Sequence, residues 1–167
     1  VQTRMGNLDL QMEPHGVFPA RGDDCWVAIA VENEPQWAAL CDAIGEPARG
    51  NDPRYATAAN RREQREEIES LLAAWTRERD MHEIARILQD RGVPASALQG
   101  PAELSADPQL IERGHFVRVA DGRGGETVIE GSAFRLSRTP ARTAGHYPEL
   151  GRDNQQVLEE ILGYDDE

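Results

Sequence analysis

An imidazole and a glycine stand side by side near the start of the chain, at His15 and Gly16, just ahead of the first apolar segment. An imidazole can donate or accept a proton near neutral pH, and a glycine lets a ligand approach the backbone closely. The pair therefore indicates a position that contacts a ligand. The alternative is structural, with Gly16 only easing the turn of the chain into a β-hairpin.

Two carboxylates, Glu32 and Glu34, fall between an apolar segment and a helix predicted to begin near Pro35. A carboxylate near a helix start is stabilised by the helix dipole, which is the structural interpretation. A carboxylate that faces a pocket can instead act as a general acid or base. No second carboxylate is placed beside them by the predicted fold, so the structural interpretation is favoured.

The charge balance excludes other classes of function. The net charge is −12, from 30 acidic and 18 basic residues, and all of the basic residues are Arg. Such an acidic chain is not expected to bind nucleic acid, because it cannot neutralise phosphates. Without lysine, the chain itself can form no Schiff base and no phosphate-binding P-loop. No segment approaches the roughly 20 apolar residues of a membrane span.

The cysteines and the glycine cluster have structural interpretations. Cys25 and Cys41 form no CxxC pair and have no neighbouring His, so we expect no metal site and reduced thiols in a cytoplasmic protein. Gly122, Gly124 and Gly125 precede a predicted strand rather than a helix. They therefore indicate a hairpin turn and not a phosphate-binding loop.

The elements that must position these residues form an α+β pattern, with short strands around a three-helix middle. Strands are predicted at 16–19, 25–31, 93–98, 115–119, 126–130 and 133–136. Helices are predicted from Pro35 to Gly45, from Asn60 to Thr76, after Asp80 up to Gly92, in two single turns after Pro101 and Pro108, and from Asp153 to Leu162. The segment at 52–55 is predicted to be a loop. Trp26, Trp37 and Trp75 fall on apolar faces and are predicted to pack in the core.

A series of short motifs extends along nearly the whole chain. The motifs are, in chain order, Arg4-Met5-Gly6-Asn7, Pro14-His15-Gly16-Val17-Phe18-Pro19, Gly22-Asp23-Asp24, the run from Trp26 to Val31, Trp37, Leu40-Cys41, Asp52-Pro53-Arg54-Tyr55, Gly92-Val93-Pro94-Ala95, Asp107-Pro108-Gln109-Leu110, Arg113-Gly114-His115-Phe116, Phe134-Arg135-Leu136-Ser137, Thr139-Pro140-Ala141, and Pro148-Glu149-Leu150-Gly151 through to Tyr164. Each motif is weak alone. The colinear set resembles the family III CoA transferases, which include carnitine, bile-acid and formyl-CoA transferases.

The resemblance implies an enzyme that moves CoA between carboxylic acids through an acyl-enzyme anhydride on an Asp carboxylate. That Asp would lie in an N-terminal Rossmann-like domain, upstream of every motif matched here, so no catalytic residue is expected in this chain. A chain that begins at Val1 is consistent with a fragment of a longer protein. Its substrates would be an acyl-CoA thioester and a carboxylic acid, with no tightly bound cofactor and no metal.

The resemblance also implies a domain plan: a linker arm at 1–15, a small α+β domain at 16–114, and strands and a helix at 115–167 that return to the large domain. Family members form interlocked homodimers, and a homodimer is expected here. The arm corresponds in place to a glycine-rich active-site loop of formyl-CoA transferase. The substrate-loop candidates are therefore Gln11, Met12, His15 and Gly16, although the single glycine argues against formyl or oxalyl specificity.

A racemase branch of the same family leaves an alternative open. It uses a Glu in a short Glu-Pro-Gln-aromatic segment, which Glu34-Pro35-Gln36-Trp37 resembles. The connection from the preceding strand is about two residues longer here and is more similar to that of the transferases. Transferase activity is therefore the first expectation, CoA-linked racemisation with Glu34 the second, and a non-catalytic binding module the third.

Overall fold

The apolar segment and the strand before it pair as predicted. In the computed structural model, which describes residues 4–141 and 150–164, β1 (His15–Pro19) and β2 (Trp26–Ala30) form an antiparallel hairpin. The short β3 (Ala95–Ala97) pairs antiparallel with the other edge of β2, so the sheet order is β1-β2-β3. The predicted extended segment at 93–98 is thus a strand of the same sheet.

Two helices of the middle segment begin at side-chain caps. α1 (Glu34–Ala43) starts after Asn33, whose side-chain oxygen accepts a hydrogen bond from the Gln36 N–H at 3.0 Å. α5 (Met81–Gln89) starts after Asp80, whose carboxylate accepts from the N–H groups of two residues in the first turn. These side-chain bonds satisfy backbone donors that have no partner within the helix.

The predicted single helix at 60–76 is wrong, because two helices occupy this region. α3 (Ala58–Glu63) is capped by Thr57, and α4 (Arg65–Thr76) follows a break at Gln64, where φ is −104° and ψ is 18°. Helices in proteins depend largely on packing of an apolar face. The stretch from Arg61 to Glu67 has no apolar residue, and the apolar packing of α4 begins at Ile68. The loop predicted at 52–55 contains a 3₁₀ turn (Pro53–Tyr55), and a short helix that was not predicted, α2 (Pro47–Gly50), precedes it.

The core of this first unit, Val1–Leu98, lies between the sheet and the helices. Its fully buried side chains include Val27 and Ile29 from β2, Trp37 and Leu40 from α1, Ile68 and Leu72 from α4, and Ile84 and Leu88 from α5. Trp37 and Trp75 contact this core as predicted, Trp75 being partly buried. The prediction for Trp26 is wrong: it is 38% exposed, and its indole N–H donates to Asp24 at 2.8 Å.

Burial makes Cys41 chemically inert. Its side chain is fully buried, and desolvation raises the pKa of the thiol from 9.0 to about 12. The reactive species is the thiolate, so we expect Cys41 to resist alkylation at about pH 8 in the folded chain, whereas the half-buried Cys25 reacts. Mass spectrometry should show one alkylated cysteine in the native chain and two in denaturant. Because the folded-state pKa is the higher one, Cys41 costs no stability below about pH 9, and stability falls as the pH rises from 9 toward 12.

The second unit, Gln99–Glu167, begins with the two predicted helical turns, α6 (Pro101–Ala106) and α7 (Pro108–Glu112). β4 (Phe116–Ala120) and β5 (Glu126–Glu130) then form an antiparallel hairpin. Asp121 holds its turn by accepting hydrogen bonds from the N–H groups of Arg123 and Gly125, both at 2.8 Å. The glycine cluster is therefore a hairpin turn, as predicted.

The strand predicted at 133–136 in this unit is wrong. Residues 133–136 form no strand, and Phe134 and Leu136 are exposed. Among the described residues, no strand pairs with this segment, and alternating apolar residues alone are not sufficient for a strand. The predicted C-terminal helix is present as a π-helix (Gln156–Ile161), and its apolar side chains are exposed. Within the described ranges, no helix has the length and apolar character needed to cross a membrane.

Candidate functional site

The outer face of the three-stranded sheet is built from small side chains. Successive residues of a strand point to opposite faces, so Val27 and Ile29 enter the core while Ala28 and Ala30 lie on the other side. Val17, Ala28 and Ser96 are direct cross-strand neighbours on that side. Small residues on three adjacent strands leave room above the sheet.

A cavity of about 430 Å³ occupies this room. Its floor is mostly apolar, from Val17, Ala28, Ala30 and Pro94, and its polar side chains are Asn7, His15, Gln89 and Ser96. The volume falls in the usual range for small-molecule sites, which combine an apolar lining with few polar groups. The cavity can therefore hold an apolar portion of a ligand and present a small number of hydrogen-bonding groups to it.

The imidazole of His15 is held at this cavity by the arm that precedes it. Its Nδ1 lies 2.6 Å from the main-chain oxygen of Asn7. A carbonyl oxygen can only accept a hydrogen bond, so Nδ1 carries a proton and donates it to this contact. In the neutral imidazole, Nε2 then carries the lone pair and can accept a hydrogen bond.

The four substrate-loop candidates divide into two pairs. His15 and Gly16 line the cavity, whereas Gln11 and Met12 are not among its lining residues. Gln11 and Met12 instead donate their backbone N–H groups to the Asp9 carboxylate, at 2.7 and 2.9 Å. These two bonds hold the pKa of Asp9 below its ordinary value. Gln11 and Met12 thus belong to a turn of the arm.

Gly16 is not required by a special backbone conformation. It is not among the residues with positive φ. A methyl group added there would meet only the Phe18 ring, at 3.5 Å, which is ordinary contact. Its contribution to the cavity is the absence of a side chain.

Glu34 lies away from this cavity. It is exposed in the first turn of α1 and is not among the cavity-lining residues. Its charge acts on the buried guanidinium of Arg61, whose pKa is lowered by burial and partly restored by Glu34. This position agrees with the structural interpretation of a carboxylate near a helix start.

The groups that the cavity lacks restrict its chemistry. The described residues that line it include no Asp, Glu, Lys or Cys, so they supply no carboxylate or thiolate nucleophile. Across residues 4–141 and 150–164, no three His, Cys, Asp or Glu side chains come together in a group that could hold a metal ion. The arrangement can bind and orient a ligand through His15, Asn7 and the sheet face.

Sequence reasoning missed most of the cavity. Asn7, Gln89 and Ser96 come from distant parts of the chain and meet only after folding. One local signal was available in β2, where Ala28 and Ala30 alternate with the large residues Val27 and Ile29. Small residues on one face of a strand indicate a close approach to that face.

The sequence matches the family described as CoA-transferase family III over residues 1–154. Similar proteins include a succinyl-CoA–D-citramalate CoA-transferase of Chloroflexus aurantiacus, 30% identical over 98% of this chain and 40% of its own length. A formyl-CoA:oxalate CoA-transferase of a Bradyrhizobium strain is 30% identical over 98% of this chain and 39% of its own length. A succinate–glutarate CoA-transferase of Agrobacterium fabrum is 31% identical over 95% of this chain and 39% of its own length.

Solved structures show the same fold. The crystal structure of a CaiB/BaiF family protein from Brucella suis superposes with a TM-score of 0.78 at 24% identity, over 95% of this chain and 40% of that protein. The chain therefore spans about 40% of the length of each of these four relatives. With its sequence matched over 154 of 167 residues, the chain belongs to CoA-transferase family III.

Proposed function

We propose that this chain is the C-terminal part of an enzyme that transfers CoA between carboxylic acids. The observation that carries the proposal is the family match over residues 1–154 together with the CoA-transferases among the relatives. The cavity on the sheet face adds a binding surface with an apolar floor and His15 at its edge. The substrates are an acyl-CoA thioester and an acceptor carboxylate, and the enzyme needs no tightly bound cofactor.

In this proposal the reaction proceeds by covalent catalysis. An Asp carboxylate outside this chain attacks the thioester carbonyl, a carbon–oxygen bond forms, and the carbon–sulfur bond breaks. CoA leaves as a thiolate, and the acyl group remains on the enzyme as a mixed anhydride. The lack of a carboxylate or thiolate among the described cavity residues supports a nucleophile located elsewhere. The role of this chain is to bind and enclose the acyl portion.

We also propose the domain plan of arm (1–15), small domain (16–114) and a segment returning to a large domain (115–167). Exposed apolar side chains in the segment 115–167 support the proposal that this segment packs against a large domain. They include Phe134, Leu136, Ile161, Leu162 and Tyr164. Exposed apolar clusters are typical of surfaces that another polypeptide covers. We further propose that the whole enzyme is a homodimer and is located in the cytoplasm.

The test is a transfer assay on the whole polypeptide that carries this chain. Acyl-CoA donors are incubated with isotopically labelled carboxylic acids, and newly formed labelled acyl-CoA is separated by chromatography. Hydroxylamine added during turnover should convert the enzyme-bound anhydride into a hydroxamate. Absence of transfer across short, branched and dicarboxylic acids would contradict the proposal. Exchange of the acyl α-proton without transfer, abolished by Glu34→Gln, would instead identify the racemase alternative.

A further inference from the structure

The arm carries a buried carboxylate with a dedicated partner. Glu13 is 3% exposed, and its carboxylate lies 2.6 Å from Arg65 Nη2, with Arg65 Nε at 3.1 and 3.3 Å from its two oxygens. Removing a carboxylate from water is costly unless it is paired and hydrogen-bonded. The two hydrogen-bonded contacts with the guanidinium of Arg65, the first residue of α4, offset this desolvation cost. The ion pair therefore ties the arm to the helices.

A second arginine holds the main chain of the same residue. Arg61 is fully buried; its Nε donates to the Glu13 carbonyl at 2.6 Å and its Nη1 donates to the Tyr55 carbonyl at 3.0 Å. Arg62, on the exposed side, donates to the Leu10 carbonyl at 2.7 Å. Three arginines of α3 and α4 thus bind arm residues about fifty positions away in the sequence.

The clamped residue is next to the cavity. The Glu13 N–H donates to the Val31 carbonyl at 3.2 Å, and the Val31 N–H donates to the Pro14 carbonyl at 2.9 Å. These bonds extend the β1–β2 pairing by one step before His15. Since His15 in turn holds the main chain of Asn7, the position of Glu13 determines how both cavity residues are presented.

We propose that Arg61 and Arg65 are positioning residues that clamp Glu13 and thereby fix the arm, with His15 and Asn7, at the edge of the cavity. Neither arginine lines the cavity, so neither contacts a ligand there. The structural part of the inference stands by itself, and its consequence for turnover rests on the proposed function.

The test uses Glu13→Gln and Arg65→Gln in the whole polypeptide, with Arg86→Gln as the matched control. Arg86 pairs with Asp90 on the surface, at 3.6 Å, and both side chains are more than half exposed. Hydrogen exchange is measured by mass spectrometry on peptides that cover residues 7–16 and, separately, α4 and α5. In the clamp variants, we expect exchange in the arm to be at least about tenfold faster and exchange in α4 and α5 to be unchanged. The control should alter neither region.

The KM for acyl-CoA supplies a readout that a loss of folded protein would not change. A smaller folded fraction lowers apparent kcat alone, whereas a displaced arm should raise KM for acyl-CoA about tenfold. An unchanged KM beside a loosened arm would overturn the positioning role, and equal acceleration of exchange throughout the domain would overturn the clamp. If the whole polypeptide transfers no CoA at all, the proposed function fails, while faster exchange confined to the arm still establishes the clamp.

Discussion

Replacing Trp37 by alanine should lower the free energy of unfolding of the chain by about 3–5 kcal/mol, the usual cost of removing a large aromatic side chain from a core. Trp37 is 2% exposed, its ring lies 5.7 Å from that of Tyr55, and its indole N–H donates to the Arg49 carbonyl at 3.3 Å. The Arg61 guanidinium lies 5.5 Å from the same ring. The substitution therefore removes the contacts that Trp37 of α1 makes with Tyr55 in the 3₁₀ turn and with Arg61.

The same substitution at Trp26 is the matched control. Trp26 is 38% exposed and its indole bonds to Asp24 on the surface. We expect Trp26→Ala to cost about 1 kcal/mol, as is typical of partly exposed positions. Urea unfolding followed by circular dichroism measures both variants. Equal losses of stability in the two would contradict the assignment of Trp37 to the centre of the core.

Replacing Ala28 by phenylalanine should reduce kcat/KM for acyl-CoA about 100-fold in the whole polypeptide, which corresponds to about 2.7 kcal/mol of lost transition-state binding. Ala28 lies in the middle strand, between Val17 and Ser96, and lines the cavity floor. A phenyl group there occupies the space proposed for the acyl portion. Because phenylalanine is a good strand former and faces an open cavity, the fold should be retained.

Ala74→Phe on the exposed side of α4 adds the same bulk away from the cavity. It should leave kcat/KM within about twofold of the unmodified enzyme, as for surface substitutions that touch no special feature. Steady-state kinetics with one donor and one acceptor compare the two variants. An Ala28→Phe enzyme as active as Ala74→Phe would exclude the sheet face as the acyl site.

The sequence predicted those elements whose signals are local. Asn33 and Asp80 precede their helices as side-chain caps, and the hairpin at 16–31 is defined by a tight turn between apolar segments. The break at Gln64 and the missing strand at 133–136 depend on which partners are available in the fold. Periodicity contains no information about such partners.

The candidate site was predictable only in part, for a related reason. His15 and Gly16 were identified from their residue types and from the resemblance, and both line the cavity. The contacts between Arg61, Arg65 and Glu13 join residues 48 and 52 positions apart. A buried arginine looks the same in a sequence as the many exposed ones around it. The separation of the first unit from the second, after Leu98, is likewise a property of the folded chain.

CoA transfer measured side by side for the whole polypeptide and for the 167-residue chain tests the central claim most directly. Both proteins receive the same acyl-CoA and the same labelled carboxylic acid, and labelled acyl-CoA is quantified over time. We predict transfer by the whole polypeptide and none by the isolated chain, because the proposed mechanism uses an Asp carboxylate outside this chain. Transfer by the isolated chain would contradict that assignment, and inactivity of both would contradict the proposed function.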